Sequence, residues 1–406
     1  MNRWQVFSAA PHRMMFFAGV LQLLLVMLFW GAELLGRYTP IWAPLNTAIP
    51  STWAHLSLML YAVFVFFIFG FLMTTYPRWM GGQVVPRQRY ARAFLWLTAG
   101  VLVYYLGLAS AALVAAAGVA LLLVGWGVGL QALWAVYRQA PAPDKHYERY
   151  LNLALGLGWV GLLSYLPCLL GGSAWWLDLS MCLGVWGFLV PAVVTVSHRM
   201  IPYFSSTVLP AYRVVQPAWS LAAFWAGFLA HGVLEFTGLA RWLFLVDLPL
   251  ALLAFYHSGR WGLVRSFQVR LLAVLHLAFL WLGIALTLYG IQSLVLWSSG
   301  TWIIGRGPLH ALGIGFLTSM VVAMATRVTL GHSGRALVLD HYTWACFVGV
   351  SLSALARIAA EVPTLNALGG GHLNLLAALL WIIALALWAG RYAPMYLRAR
   401  ADGRPG

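Results

Sequence analysis

Residues 306–335 read Arg306-Gly-Pro-Leu-His310-Ala-Leu-Gly-Ile-Gly315-Phe-Leu-Thr-Ser-Met320-Val-Val-Ala-Met-Ala325-Thr-Arg327-Val-Thr-Leu-Gly331-His332-Ser-Gly334-Arg335. A Gly-Pro break opens the stretch and places His310 in the first turns of an apolar run long enough to cross a bilayer. The run closes on Arg327, Gly331, His332, Gly334 and Arg335. One membrane helix therefore carries an imidazole near each end. Imidazole left unpaired in hydrocarbon is costly, so a histidine at such a position faces a partner, a cavity or a metal. Further histidines stand at similar helix ends along the chain, which makes metal or haem binding the reading to test.

The composition of the whole chain agrees with a membrane protein. Of 406 residues, 63% are hydrophobic and 8% charged, against about 25% charged in soluble domains. The 24 Lys+Arg outnumber the 9 Asp+Glu, but they sit in short loops between apolar runs and build no basic face, so nucleic acid is not the partner. Cys168, Cys182 and Cys346 lie inside apolar spans and imply no disulfide framework. There is no Cys-x-x-Cys-His, so any haem would be held without covalent bonds, as haem b is. A run from about residue 14 to 35 follows Arg3 and Arg13. It is too long for a signal-peptide core and has no small-residue cleavage site, so it reads as a retained first helix.

Twelve apolar segments can be placed: 14–35, 53–76, 91–109, 111–137, 150–171, 175–197, 216–236, 241–258, 268–291, 309–328, 341–361 and 370–391. The expected fold is an all-α polytopic membrane protein of about twelve transmembrane helices, a single integral domain over 1–406. Alternate loops place twenty basic residues on one side and only Arg37, Arg241 and Arg306 on the other, with Arg357 left inside the eleventh helix. That asymmetry predicts cytoplasmic N- and C-termini. The Arg199–Arg213 link, with its prolines and aromatics, reads as a cytoplasmic segment lying in the interface, where a quinone headgroup could sit. Gly125 and Gly129, Gly158 and Gly161, and Gly313 and Gly315 suit close helix contact more than room for a flat cofactor. No P-loop, Gly-x-Ser-x-Gly or His-Glu-x-x-His is present.

Orientation sorts the histidines by depth. His12, His198, His257, His276, His332 and His341 fall near the cytoplasmic level; His55, His231, His310 and His372 fall near the outer one. His146, His257, His341 and His372 read as structural. Two facing imidazoles can clamp a haem iron and three can hold copper. Methionines such as Met200, Met320 and Met324 are packing before they are Cu(I) ligands. Glu33, Asp178, Glu235, Asp247 and Glu361 gather toward outer helix ends, where carboxyls relay protons or bind cations. Glu361, four residues after Arg357, reads as its ion-pair partner.

Several motifs together resemble the NnrS family. They are Pro11-His12-Arg13 with Phe16-Phe17, Gly70-Phe-Leu with Pro77-Arg78-Trp79, His198-Arg-Met-Ile-Pro202-Tyr-Phe204, Leu275-His276-Leu277, and His310 with Thr326-Arg327 and Gly331-His332-Ser-Gly334-Arg335. The resemblance implies a haem- and copper-containing polytopic protein of the bacterial nitric oxide response, associated with nitrosative stress and denitrification. Its histidines fall on His12, His55, His198, His276, His310 and His332. One departure is plain: a His-Ala-His-Glu stretch expected in the second helix is here Trp53-Ala-His55-Leu-Ser57-Leu58, and Ser57 and Leu58 replace neither a ligand nor a base.

The candidate haem ligands are His55, His310 and His276, and the candidate ligands of copper or a second haem are His12, His198 and His332. Depth pairs His55 with His310 and groups His276 with the latter three. Glu33, Asp247 and Glu235 are candidates for proton transfer. The expected ligand is nitric oxide, bound or reduced, with a quinol or another electron donor. The competing readings are a twelve-helix secondary transporter, which predicts helices broken near the bilayer midplane, and a membrane assembly partner of a respiratory complex.

Overall fold

The computed structural model describes residues 3–369 and 371–403. Each expected segment is a helix, and no strand occurs among the described residues. The long helices are α1 (Pro11–Tyr38), α2 (Ser51–Trp79), α3 (Arg87–Ala109), α4 (Ala112–Gln139), α5 (His146–Leu169) and α6 (Trp175–Val208). They continue with α7 (Ala218–Phe236), α8 (Phe244–Arg260), α9 (Arg270–Ser299), α10 (Gly307–His332), α11 (His341–Ala359) and α12 (His372–Tyr396). Among the described residues, ten of these are long and apolar enough to cross a membrane. The other two are α7, with 19 residues, and α8, with 17; both carry buried ionisable side chains.

The start of α1 and the end of α12 lie on one face of the bundle. Arg13, near the start of α1, donates from Nε to the Tyr396 carbonyl at the end of α12 (3.2 Å), and the Ala401 amide donates to Ser333 beyond α10 (2.9 Å). This is called the terminal face below, and its opposite the far face. On the far face only Ser110 and Ala111 separate α3 from α4, which sets the two helices side by side. A Cβ on Gly107 would sit 2.2 Å from the Ala115 amide nitrogen, and one on Gly118 2.5 Å from that of Tyr104. Backbone approach of this kind needs glycine, as at other small-residue helix contacts in membranes.

Two expectations on the terminal side are corrected. Residues 199–208 are not an interfacial link: α6 runs on through Pro202 to Val208, leaving a short connection before α7. Arg327 is not in a loop. It lies within α10, is 9% exposed, and its guanidinium carbon stands 3.8 Å from the ring centre of Phe204 on α6. The cation–π contact and an adjoining cavity allow a charge to sit inside the helix.

The inner helices α2, α6 and α10 share an irregularity. Each widens into π-helix over one stretch, at Leu58–Val63, Leu183–Leu189 and Ala311–Thr318, and then resumes as α-helix. Such widened turns are rare and occur often at functional sites. Here all three border one cavity.

Candidate functional site

That cavity, about 430 Å³, opens between α1, α2, α6, α10, α11 and α12 toward the far face. Its volume lies within the range of roughly 300–1,000 Å³ usual for small-molecule and cofactor sites. Leu60, Val185, Leu189, Leu312 and Gly313, all from the widened turns, form part of its wall. A Cβ on Gly313 would touch nothing within 4 Å, whereas one on Gly315 would strike Trp281. Of that glycine pair, Gly313 therefore keeps cavity space and Gly315 serves helix packing.

Two imidazoles line the cavity, His55 on α2 and His310 on α10, each just before a widened turn. His310 Nδ1 lies 2.9 Å from the Arg306 carbonyl oxygen and must donate to it, so its proton resides there and Nε2 carries the free lone pair. This is how a metal-ligating histidine is usually oriented. His55 stacks on Trp30 of α1 at 4.3 Å and 13°, and its Nδ1 is buried without a hydrogen-bond partner. Arg37, Arg306 and Arg357 also line the cavity. Arg37 is paired with Glu33 (2.7 Å) and Arg357 with Glu361 (2.6 Å), the latter as the sequence spacing predicts. Two imidazoles, apolar walls and cationic groups fit a haem with its carboxylate side chains.

At the terminal face, His12 and His332 meet with ring centres 4.7 Å apart. His332 borders a wider cavity of about 1170 Å³, also lined by Arg78, Arg199, Met200 and Arg327. Two imidazoles are a partial ligand set for copper. Among the described residues, no group of three or more His, Cys, Asp or Glu side chains converges to hold a metal ion. Met320 and Met324 instead line a narrow apolar gap with Phe16 and Phe67.

The other two candidate imidazoles stand apart from both pairs. The Tyr147 hydroxyl lies 2.9 Å from His198 Nδ1, and His198 Nε2 lies 2.8 Å from Ser220 Oγ. Ser220 donates its own proton to the Pro217 carbonyl, so Nε2 of His198 is the donor and neither ring nitrogen is free. His276 Nε2 lies 3.0 Å from Ser205 Oγ. His257, read as structural, is fully buried beside Trp261 and His198, yet neither of its nitrogens has a partner.

Of the acids, Glu33 is fully engaged by Arg37, Ser51 Oγ (2.8 Å) and the Leu45 amide (2.7 Å). Glu235 and Asp247 come together through a residue absent from the candidate list, His231. Its depth and the four-residue spacing to Glu235 were legible in the sequence, but Asp247 lies on α8, whose rotation hydropathy does not specify. Ser57 does not line the His55 cavity; its hydroxyl meets that of Tyr104 at 2.7 Å on another side of α2. In the loop before α5, hydrogen bonds from His146 hold the Asp144 carboxyl below its ordinary range.

No curated protein matches the chain. The family described as NnrS protein matches residues 6–400.

Proposed function

Since this chain belongs to the NnrS family, we propose that it is a haem- and copper-binding membrane protein of the nitric oxide response, seated in a bacterial inner membrane with both termini cytoplasmic. One observation carries the reading. His55 and His310 line one cavity, and the fold leaves His310 Nε2 and the buried Nδ1 of His55 without hydrogen-bond partners. A buried polar atom without a partner is expensive unless a ligand completes it.

His55 and His310 would hold the haem, with Trp30 fixing the plane of the His55 ring, and Arg306, the one cavity arginine not paired with a carboxylate above, would receive a haem carboxylate. A bound haem supplies an iron that can take up nitric oxide and exchange electrons. The apolar walls of the cavity keep bulk water from that ligand. His12 and His332 offer the second metal position, and the wide terminal-face cavity beside His332 gives a quinol or other electron donor access to it. The carrier reading is less well supported. Helices α2, α6 and α10 widen but run on, and do not split into the paired half-helices that carriers use to bind solutes.

The test is a reduced-minus-oxidised absorption spectrum of detergent-purified protein, with and without nitric oxide, together with copper by elemental analysis. A Soret band that shifts with nitric oxide and disappears in His310→Ala supports the reading. Colourless protein, or unchanged haem content in both His55→Ala and His310→Ala, overturns it.

A further inference from the structure

We propose that Glu235, His231 and Asp247 form a proton-exchange path from the far surface of the bundle into the interior of α6–α9, with His231 as the carrier. His231 on α7 is fully buried, and its two ring nitrogens address two different carboxylates. Nδ1 lies 2.7 Å from Asp247 Oδ1 on α8, and Nε2 lies 3.7 Å from Glu235 Oε2 one turn further along α7. The Glu235 side chain is 48% exposed, while that of Asp247 is 0% exposed. A single imidazole thus stands between a carboxylate that meets the surroundings and one that is sealed off.

Two atoms of this group are buried without a partner: His231 Nε2 and Asp247 Oδ2. Leaving such atoms unpaired costs free energy, so a purely structural pair would be expected to close its open valences. For proton exchange, Nε2 is the atom through which a proton must enter. A protonated Glu235 gives its proton to Nε2, the ring becomes imidazolium, and the Nδ1 proton passes to Asp247 Oδ1. Glu235 is left as carboxylate, Asp247 as the neutral acid, and the ring as the opposite neutral tautomer. The reverse steps restore the starting state, so no other reactant is needed. The 3.7 Å gap exceeds a direct hydrogen bond, and rotation of the half-exposed glutamate or one bridging water closes it.

The surroundings hold the ring in place. Trp186 of α6 lies against it with ring centres 3.5 Å apart, Tyr289 of α9 meets it edge-on at 4.8 Å, and Trp186 Nε1 donates to Glu235 Oε2 at 2.9 Å. Gly232 permits this approach, since a Cβ there would stand 3.0 Å from Trp186 Cβ and 3.1 Å from Cys182 Sγ. The other groups facing the path are the Cys182 thiol of α6 and Arg306. The latter lies within electrostatic reach of Glu235 and Tyr289 and also lines the His55/His310 cavity. Arg306 thus stands near the Glu235 end of the path, and the chemistry of the path does not depend on what that cavity holds.

Infrared spectroscopy of the full-length protein in detergent tests this without any cofactor signal. A carboxyl C=O band that Asp247→Asn removes, located by titration between about pH 4 and pH 9, is followed after transfer from H₂O to D₂O. In Glu235→Gln and His231→Gln the band keeps its position but exchanges at least about a hundredfold more slowly than in wild type, the scale on which a positioned proton donor acts. Asp178→Asn, on an exposed residue of α6, leaves the rate unchanged. Wild-type exchange rates in the Glu235 and His231 variants overturn the proposal, as does the lack of any Asp247-dependent band. Glu235→Gln alters a half-exposed group, so it remains informative even if His231→Gln does not fold.

Discussion

The far-face cavity and the packing around His198 use the same side chain in opposite ways. His198 has both ring nitrogens occupied by hydroxyl groups, and those hydroxyls come from neighbouring helices α5 and α7. His310 has one nitrogen tied to the backbone of its own helix and the other left open, while His55 is held by stacking on Trp30 and not by a bond to Nδ1. Both regions lie in a low-dielectric bundle where an unmet polar atom is costly. The first closes its valences within the protein and so stiffens the junction of α5, α6 and α7. The second leaves them open. On the proposed reading, nitrogens left open beside a cavity, and not depth or count, set His55 and His310 apart from His198; His257 also leaves both nitrogens open, but it packs against Trp261 outside that cavity.

The largest expected effect separates the two regions by cofactor content. His310→Ala and His55→Ala should each remove most of the Soret absorbance per mole of purified protein, while His198→Ala should keep it in whatever fraction remains folded. Measuring haem against protein in size-separated samples decides this. The comparison breaks if His198→Ala loses haem and His310→Ala retains it.

A smaller effect of opposite pattern is expected for stability. His198→Ala removes two buried hydrogen bonds and leaves the Tyr147 hydroxyl without its acceptor, a loss of roughly 2–4 kcal/mol once the cavity is included. His55→Ala removes a stacking contact worth about 0.5–1.5 kcal/mol and deletes an unsatisfied nitrogen at the same time. Denaturant unfolding of cofactor-free protein should therefore show His198→Ala as the more destabilised. Equal losses would mean that His55 is bonded in the folded state in a way its geometry does not suggest.

These contrasts also mark where the sequence stops being readable. The ten long apolar helices were legible because hydrocarbon demands apolar side chains over a fixed length, a requirement that leaves a direct mark on composition. The α3–α4 turn left a fainter mark, since Leu108-Ala-Ser-Ala-Ala112 stays apolar or small across the break. Arg327 misled because a lone arginine in an apolar run reads as the end of a span; its shelter, the Phe204 ring, comes from a helix more than a hundred positions earlier. The widened turns of α2, α6 and α10 have no compositional mark, since any apolar sequence can adopt them when neighbours demand it. The pairings of His12 with His332 and of His231 with Asp247 depend on how each helix is rotated about its axis. Hydropathy reports depth and leaves rotation open.

The smallest effect asks whether a closed polar valence matters equally where water can reach it. Asp340 caps α11 by accepting from the Thr343 amide (3.0 Å) and pairs with Arg391 (2.6 Å), but its side chain is 40% exposed. Partial burial works to raise its carboxyl pKa, yet the Thr343 hydrogen bonds and Arg391 outweigh it and hold the group below its ordinary range. A carboxyl depressed in the folded state contributes stability that is present above the unfolded value, about 3.9, and is lost as pH falls through the lower folded value. Asp340→Ala should therefore cost about 1 kcal/mol near neutral pH, mostly as the lost cap, because an exposed ion pair adds little. The gap to wild type should narrow as the pH drops below about 4. Water can replace what Asp340 supplies, and nothing can replace what His198 supplies to Tyr147. A loss for Asp340→Ala as large as that for His198→Ala would show that burial is not what sets the strength of these bonds, and the contrast between closed and open histidines would then need another basis.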